Sequence, residues 1–193
     1  TAYTSASSTT TVTNLISNGT MEVDDNWANQ SSPSTNERST TQVHNGTYSR
    51  KFTPSSSNDG IQSDTFTTVA GDKILLTAWV YPDDGTTITI KYTEGNGSTT
   101  SSHAITGLTE NAWNQVAKQV TDASGSSGAK IAFHSGSQTS GDFYIDDVVI
   151  SKFETNTIDF TASHATNNII KHSQGHGDDT VTNGTFASDS GWT

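Results

Sequence analysis

The apolar stretches of this chain are all strand-sized. Ile74 to Tyr81 reads Ile-Leu-Leu-Thr-Ala-Trp-Val-Tyr, with Ile74, Leu76, Ala78 and Val80 on one face and Leu75, Thr77, Trp79 and Tyr81 on the other. That period of two is the spacing of a pleated strand. It recurs between clusters of Gly, Asn, Asp and Ser, in Tyr48 to Thr53, Ile61 to Thr68, Thr87 to Thr93, Ser102 to Ile105, Trp113 to Thr121, Lys130 to His134 and Phe143 to Lys152. Eight to nine short strands separated by turn residues predict an all-β, antiparallel β-sandwich. Asp83-Asp84-Gly85 between two of these runs predicts a hairpin joining Ile74–Tyr81 to Thr87–Thr93. Glu94-Gly95-Asn96-Gly97 turns the chain again, and Asp24 to Gln42 reads as a long polar loop.

Hydrophobic residues are 30% of the chain, and 34 Thr with 27 Ser fill 61 of 193 positions. A Thr-rich strand needs little burial on its outer side, because β-branched side chains suit the pleated surface. The composition therefore argues for sheets and against a helical core. The formal charge of −11, from 20 acidic and 9 basic residues, argues against a nucleic-acid binder held by a basic surface. No apolar run approaches the roughly 20 residues of a membrane-spanning helix, so no membrane insertion is expected. Zero cysteines remove disulfides, thiol catalysis and Cys-ligated metals together.

One internal repeat stands out. Ser17-Asn18-Gly19-Thr20-Met21 returns as Thr182-Asn183-Gly184-Thr185-Phe186, and Trp27 returns as Trp192, both at an offset of 165. The expected organisation is a Ser/Thr-rich connector over 1–11, a sandwich module over 12–152, a linker over 153–180 and the start of a second module over 181–193. The chain reads as a piece of a longer protein with tandem modules.

Catalytic constellations are weak. The Asp24-Asp25, Asp83-Asp84, Asp146-Asp147 and Asp178-Asp179 doublets place neighbouring carboxylates on opposite strand faces, where they cannot share one glycosidic bond. No Gly-x-Ser-x-Gly elbow accompanies any Ser, and the glycine between His172 and His176 opposes the helix that would bring them to one metal. The expectation is a chain that is not an enzyme.

The segments Asn14-Leu15-Ile16-Ser17-Asn18-Gly19-Thr20-Met21-Glu22, Trp27, Gly46-Thr47-Tyr48-Ser49, Leu76-Thr77-Ala78-Trp79-Val80, Trp113-Asn114-Gln115-Val116 and Phe143-Tyr144-Ile145-Asp146-Asp147-Val148 follow one another in order. Together they resemble the carbohydrate-binding-module jelly rolls of the family 4, 9, 16 and 22 type, the galactose-binding-like β-sandwiches. The resemblance covers roughly residues 12–152.

The resemblance implies a structural calcium where the first and last strands meet. Glu22 and Asp146 or Asp147 are the matching carboxylates, and the carbonyls of the Asn45-Gly46 turn would complete the oxygen shell that this cation prefers. The second copy carries Ala187 where Glu22 stands, which departs from that pattern. The resemblance also implies an aromatic platform flanked by polar groups for a polysaccharide or cell-surface glycan. Trp79 and Tyr81 are the platform candidates, with Lys91, His134 and Gln62 as polar flanks on alternating positions of other strands. Trp27 is a second aromatic candidate. The competing expectation is that Trp79 and Tyr81 are covered by a loop or a neighbouring subunit, while Trp27 and Trp113 pack at core edges.

The expected function is glycan binding or adhesion within a repetitive extracellular or virion-surface fibre, beside neighbouring copies of the same assembly. Two alternatives stand next to it: a purely structural block of a filament, tail fibre or capsid decoration, and an accessory module of a polysaccharide-degrading enzyme.

Overall fold

The computed structural model describes residues 14–153. The connector over 1–11, Val12, the linker after Phe153, His172, His176 and the second copy all lie outside the described residues. Eleven strands form two antiparallel sheets. In chain order they are β1 (Trp27–Gln30), β2 (Thr35–Ser39), β3 (Ser49–Thr53), β4 (Gly60–Ser63), β5 (Phe66–Thr68), β6 (Lys73–Pro82), β7 (Thr87–Thr93), β8 (Thr100–Thr106), β9 (Asn114–Thr121), β10 (Ser126–His134) and β11 (Phe143–Phe153). Sheet A runs β1-β4-β10-β7-β8, with β5 also paired to β10, and sheet B runs β2-β3-β11-β6-β9. No described residue is helical.

The core is the set of inward positions that the period of two picks out. Ile74, Leu76, Ala78 and Val80 from β6 meet Ile88, Ile90 and Tyr92 from β7 and Ala129, Ile131 and Phe133 from β10 within one buried cluster. Phe52 and Phe143 stack at 5.0 Å between ring centroids. Each fully buried Ile or Phe contributes roughly 1.5–3 kcal/mol by leaving water. A chain with few apolar residues can thus hold its core, because its strands concentrate Ile, Val, Leu and Phe on the inward side.

Three local expectations change. The Asp83-Asp84-Gly85 turn closes no hairpin: β6 pairs with β11 and β9 in sheet B, whereas β7 pairs with β10 and β8 in sheet A. Both strands bury a full apolar face, so the chain crosses from one sheet to the other and places those faces against each other. The hairpin signalled by Glu94 to Gly97 is real and joins β7 to β8. The Asp24–Gln42 loop contains β1 and β2, short polar strands whose outward positions need no apolar residue. Ile61 to Thr68 is divided by Asp64-Thr65 into β4 and β5, giving eleven strands in place of eight to nine.

The segment 14–21 is stitched to β11. The Asn14 side chain donates to the Val148 carbonyl at 2.8 Å and accepts from the Ile150 N–H at 2.9 Å, and the Val148 N–H donates to the Gly19 carbonyl at 2.7 Å. The Asn-Gly-Thr-Met run is a structural clasp: a Cβ at Gly19 would fall 2.1 Å from the Val148 oxygen.

Candidate functional site

Two faces of the sandwich carry the residues singled out from the sequence. On sheet A, the register aligns the outward side chains into rows across five strands. One row is Gln30, Gly60, His134, Thr89 and Ala104. The next is Ala28, Gln62, Ala132, Lys91 and Ser102. Gly60, Ala132 and Ala104 are short and make a floor, while Gln30, His134 and Lys91 stand taller around it. The result is an open groove of about 580 Å³ lined by Gln30, Asn58, Thr89, Lys91, Thr100, Ser102, Ala104 and His134. That volume lies inside the roughly 300–1,000 Å³ range of small-ligand sites.

Gly60 is fixed by the close approach of β4 to β10, since a Cβ there would lie 1.9 Å from the Phe133 carbonyl oxygen. Asn58 is held at the rim by Asp59, whose fully buried carboxylate accepts the N–H groups of Ser32, Ser55 and Ser56 at 2.8–3.0 Å. Burial pushes that carboxyl up, but these hydrogen bonds outweigh it and hold it well below the usual carboxylate range. The Asn58 N–H donates to the Gly136 carbonyl, and the Ser135 N–H to that of Asp59. His134 Nδ1 accepts the Gly136 N–H at 3.2 Å, which leaves the proton of the neutral ring on Nε2. Burial lowers the His134 pKa and the nearby Lys91 charge lowers it further, so the ring is neutral near pH 7.

Sheet B carries the aromatic face. Trp79 stacks on His44 with centroids 4.0 Å apart, and Trp113 meets both His44 and Tyr81 edge-on. Tyr81 is 9% exposed and also touches Tyr144. The loop that carries His44 therefore covers Trp79, and the aromatic faces are engaged with one another. The Trp79–Tyr81 platform and the Lys91, His134 and Gln62 flanks stand on opposite faces of the sandwich, so they form no single site. β6 lies in sheet B and β7 in sheet A, and no alternation within one strand can reveal that. Trp27 is 4% exposed, packs on Phe133 and donates from Nε1 to the Asn18 carbonyl at 3.0 Å. Its place is the core, as its size and its packing on Phe133 dictate. Gln30, Asn58, Thr100 and Ser102 carry no signal of their own in the sequence, because only the strand order brings them beside Lys91 and His134.

The five residues expected around a cation gather at the loop 44–48. Asp146 is fully buried; its Oδ2 accepts the N–H groups of His44 and Asn45, and its Oδ1 that of Asp147. Burial outweighs those bonds and raises its carboxyl to about 6. Glu22 Oε1 accepts the N–H groups of Thr47 and Tyr48, against the turn at Gly46. Asp147 turns instead to His44 Nδ1 at 2.7 Å, at a bulge where its own φ is positive. Among the described residues no three acidic or imidazole side chains converge on one point. What remains is two carboxylates, Asp146 of β11 and Glu22 ahead of β1, that both accept N–H groups of the loop 44–48, Asp146 being buried without a basic partner among the described residues. Carboxylate oxygens are donors that a hard cation prefers and a soft one does not.

No protein-family model matches this sequence, and no curated protein sequence matches it. Solved structures do match its shape. A CBM61 module in complex with β-1,4-galactotriose superposes with a TM-score of 0.53 at 15% identity, over 73% of this chain and 99% of that one. The CBM22-1 xylan-binding domain of Xyn10C from Paenibacillus barcinonensis gives 0.53 at 11%, over 66% and 85%. The enzymatically active domain of tailspike protein 4 from bacteriophage CBA120 gives 0.58 at 19%, over 72% of this chain and 21% of that one. Two antiparallel sheets in the described residues, together with these neighbours, make the fold that of the carbohydrate-binding-module jelly rolls.

Proposed function

We propose that this chain is a non-catalytic glycan-binding module that holds an oligosaccharide in the groove across sheet A. The observation that carries the reading is the groove itself: two outward rows across five strands, with short residues at Gly60, Ala132 and Ala104 and walls of amide, hydroxyl, imidazole and ammonium groups. Sugars present hydroxyls in several directions, and side chains of this kind donate to and accept from them. The fold neighbours with galactotriose and xylan support the ligand class. The lining holds no carboxylate, so it lacks the acid pair that glycoside hydrolysis needs. The tailspike neighbour supports placing the parent protein at a virion or other external surface, with repeated modules adding avidity.

For the cation we propose calcium, held by Asp146, Glu22 and carbonyls of the Asn45-Gly46 turn. Bound there, it would neutralise a buried carboxylate and tie the loop 44–48 to β11.

The test of the glycan site is to obstruct the groove without touching the core. Ala104 is exposed on the edge strand β8, so Ala104→Ile adds bulk with a strand-favouring residue. Retention on a glycan array or in affinity electrophoresis should fall at least about tenfold with the melting temperature unchanged. Undiminished retention would place the site elsewhere.

A further inference from the structure

The groove carries a charge pattern opposite to that of the molecule. The chain has a formal charge of −11, yet the outward strand positions of sheet A contain no acidic residue: Ala28 and Gln30, Gly60 and Gln62, Thr87 to Thr93, Thr100 to Thr106, and Lys130, Ala132 and His134. Asp64 and Glu94 lie past the ends of β4 and β7.

The described residues include eight basic side chains. Arg50, Lys51 and Lys152 pair with Asp24, Asp142 and Asp72, Arg38 donates to the Glu22 carbonyl and covers the Tyr48 ring, and Lys73 donates to Thr121. Lys91, Lys118 and Lys130 have no hydrogen-bond or ion-pair partner among the described residues. Two of these three stand on the outward face of sheet A: Lys91 lines the groove, and Lys130, just outside its lining, is the diagonal neighbour of Lys91, opposite Thr93 and two residues along β7. Diagonal positions are close enough for long side chains to meet, so two ammonium groups there repel each other unless an anion lies between or above them.

His134, 6% exposed, adds a neutral Nε2–H donor beside Lys91. No aromatic ring lines the groove, so the stacking that holds a neutral pyranose has no platform there. An ammonium pair, an imidazole N–H and the amide groups of Gln30 and Asn58 supply donors for an anionic sugar instead.

We infer that the sheet A groove takes an acidic saccharide, with the sugar carboxylate held by Lys91 and Lys130 and its oxygens met by His134 Nε2. This rests on the glycan-binding reading above. Charge-assisted hydrogen bonds to a half-buried ammonium would then supply affinity and discrimination against neutral sugars. That affinity would weaken as salt rises, because the site is open to solvent.

The experiment is isothermal titration of the chain with pentagalacturonic acid, its fully methyl-esterified form, xylohexaose and inorganic phosphate, repeated with Lys91→Gln and Lys130→Gln. Melting curves of both variants check the fold. The expected result is that the free acid binds, that the ester binds at least about tenfold more weakly, and that each variant loses about that factor for the acid alone with unchanged melting. Equal affinity for acid and ester, insensitive to Lys91→Gln, would overturn the acidic-sugar inference and leave glycan binding standing. Phosphate binding as tightly as the pentasaccharide would also overturn it, marking a simple anion site. Failure of every saccharide to bind would overturn the glycan reading and this inference with it.

Discussion

Asp122 lies just after β9 and has no exposed surface. Its Oδ2 accepts from Thr68 Oγ1 at 2.7 Å, the Tyr92 hydroxyl at 2.7 Å and the Gly95 N–H at 2.8 Å. Its Oδ1 accepts from the N–H groups of Ser124 and Gly125 at 2.9 and 2.8 Å. One carboxylate thus fastens β5, β7, the β7–β8 turn and the turn into β10, and it holds the strand that presents Lys91. In Asp122→Asn one oxygen becomes an NH₂. The two hydroxyls can turn to accept from it, but the backbone N–H groups cannot. If the NH₂ takes the Oδ2 place, Gly95 loses its acceptor, and in the other orientation Ser124 and Gly125 lose theirs. A buried unsatisfied donor costs about 1–3 kcal/mol, and bonds to a neutral acceptor are weaker than those to a charged one. The expected loss is therefore about 2–3 kcal/mol, or roughly 10 °C in melting temperature for a domain of this size.

The pH profile supplies a second reading of the same site. Burial pushes the Asp122 carboxyl up, but the bonds from Thr68, Gly125, Tyr92 and Gly95 outweigh it and hold it well below the usual range. A folded-state pKa depressed in this way contributes stability above the unfolded value near 4, and that stability is lost as pH falls further. Asp59 contributes in the same sense. Asp146, raised to about 6, acts oppositely between about pH 4 and 6, losing stability as pH rises. Calorimetry at pH 7 and below pH 4 separates these contributions. Asp122→Asn should lower the melting temperature at pH 7 and flatten the acid limb without abolishing it. A variant melting within about 2 °C of the parent, with the same acid slope, would refute the argument.

Two further outcomes follow from the other faces. Trp79→Ala should remove the stacking on His44, costing about 1–3 kcal/mol for a half-buried ring, while leaving glycan retention intact. Lost retention with unchanged melting would move the binding face to sheet B. Calcium at 100 times its dissociation constant should add about 2.7 kcal/mol over EDTA, or roughly 5–10 °C, and Asp146→Asn should abolish that gain. Identical melting curves with calcium and with EDTA would reject the cation.

The strands were legible because their evidence is local. Alternation in Ile74–Tyr81 separates four core residues from four outward ones without any knowledge of neighbours, and β6 obeys it. The Gly-rich turn before β8 was legible for the same reason. Trp27 carried two readings, because a lone aromatic in a polar stretch can serve as a binding residue, although its size favours packing at a core edge. The packing on Phe133 decides between them.

The groove was half legible. Lys91 and His134 stood out as polar residues on alternating strands, but β7 and β10 are neighbours only through a topology that interleaves strands distant in sequence. Gln30 comes within reach of His134 through Gly60, across strands separated by about a hundred residues.

The sequence by itself determined that the chain would be built of short antiparallel strands and which side of each strand would face inward. These follow from periodicity and local backbone preference. Only the tertiary structure decided that β6 and β7 belong to different sheets, that the aromatic residues close on His44, and that the open face collects unpaired lysines instead of tryptophans. Such outcomes depend on which strands pair. Pairing minimises exposed apolar area over the whole domain, and no single segment carries that information.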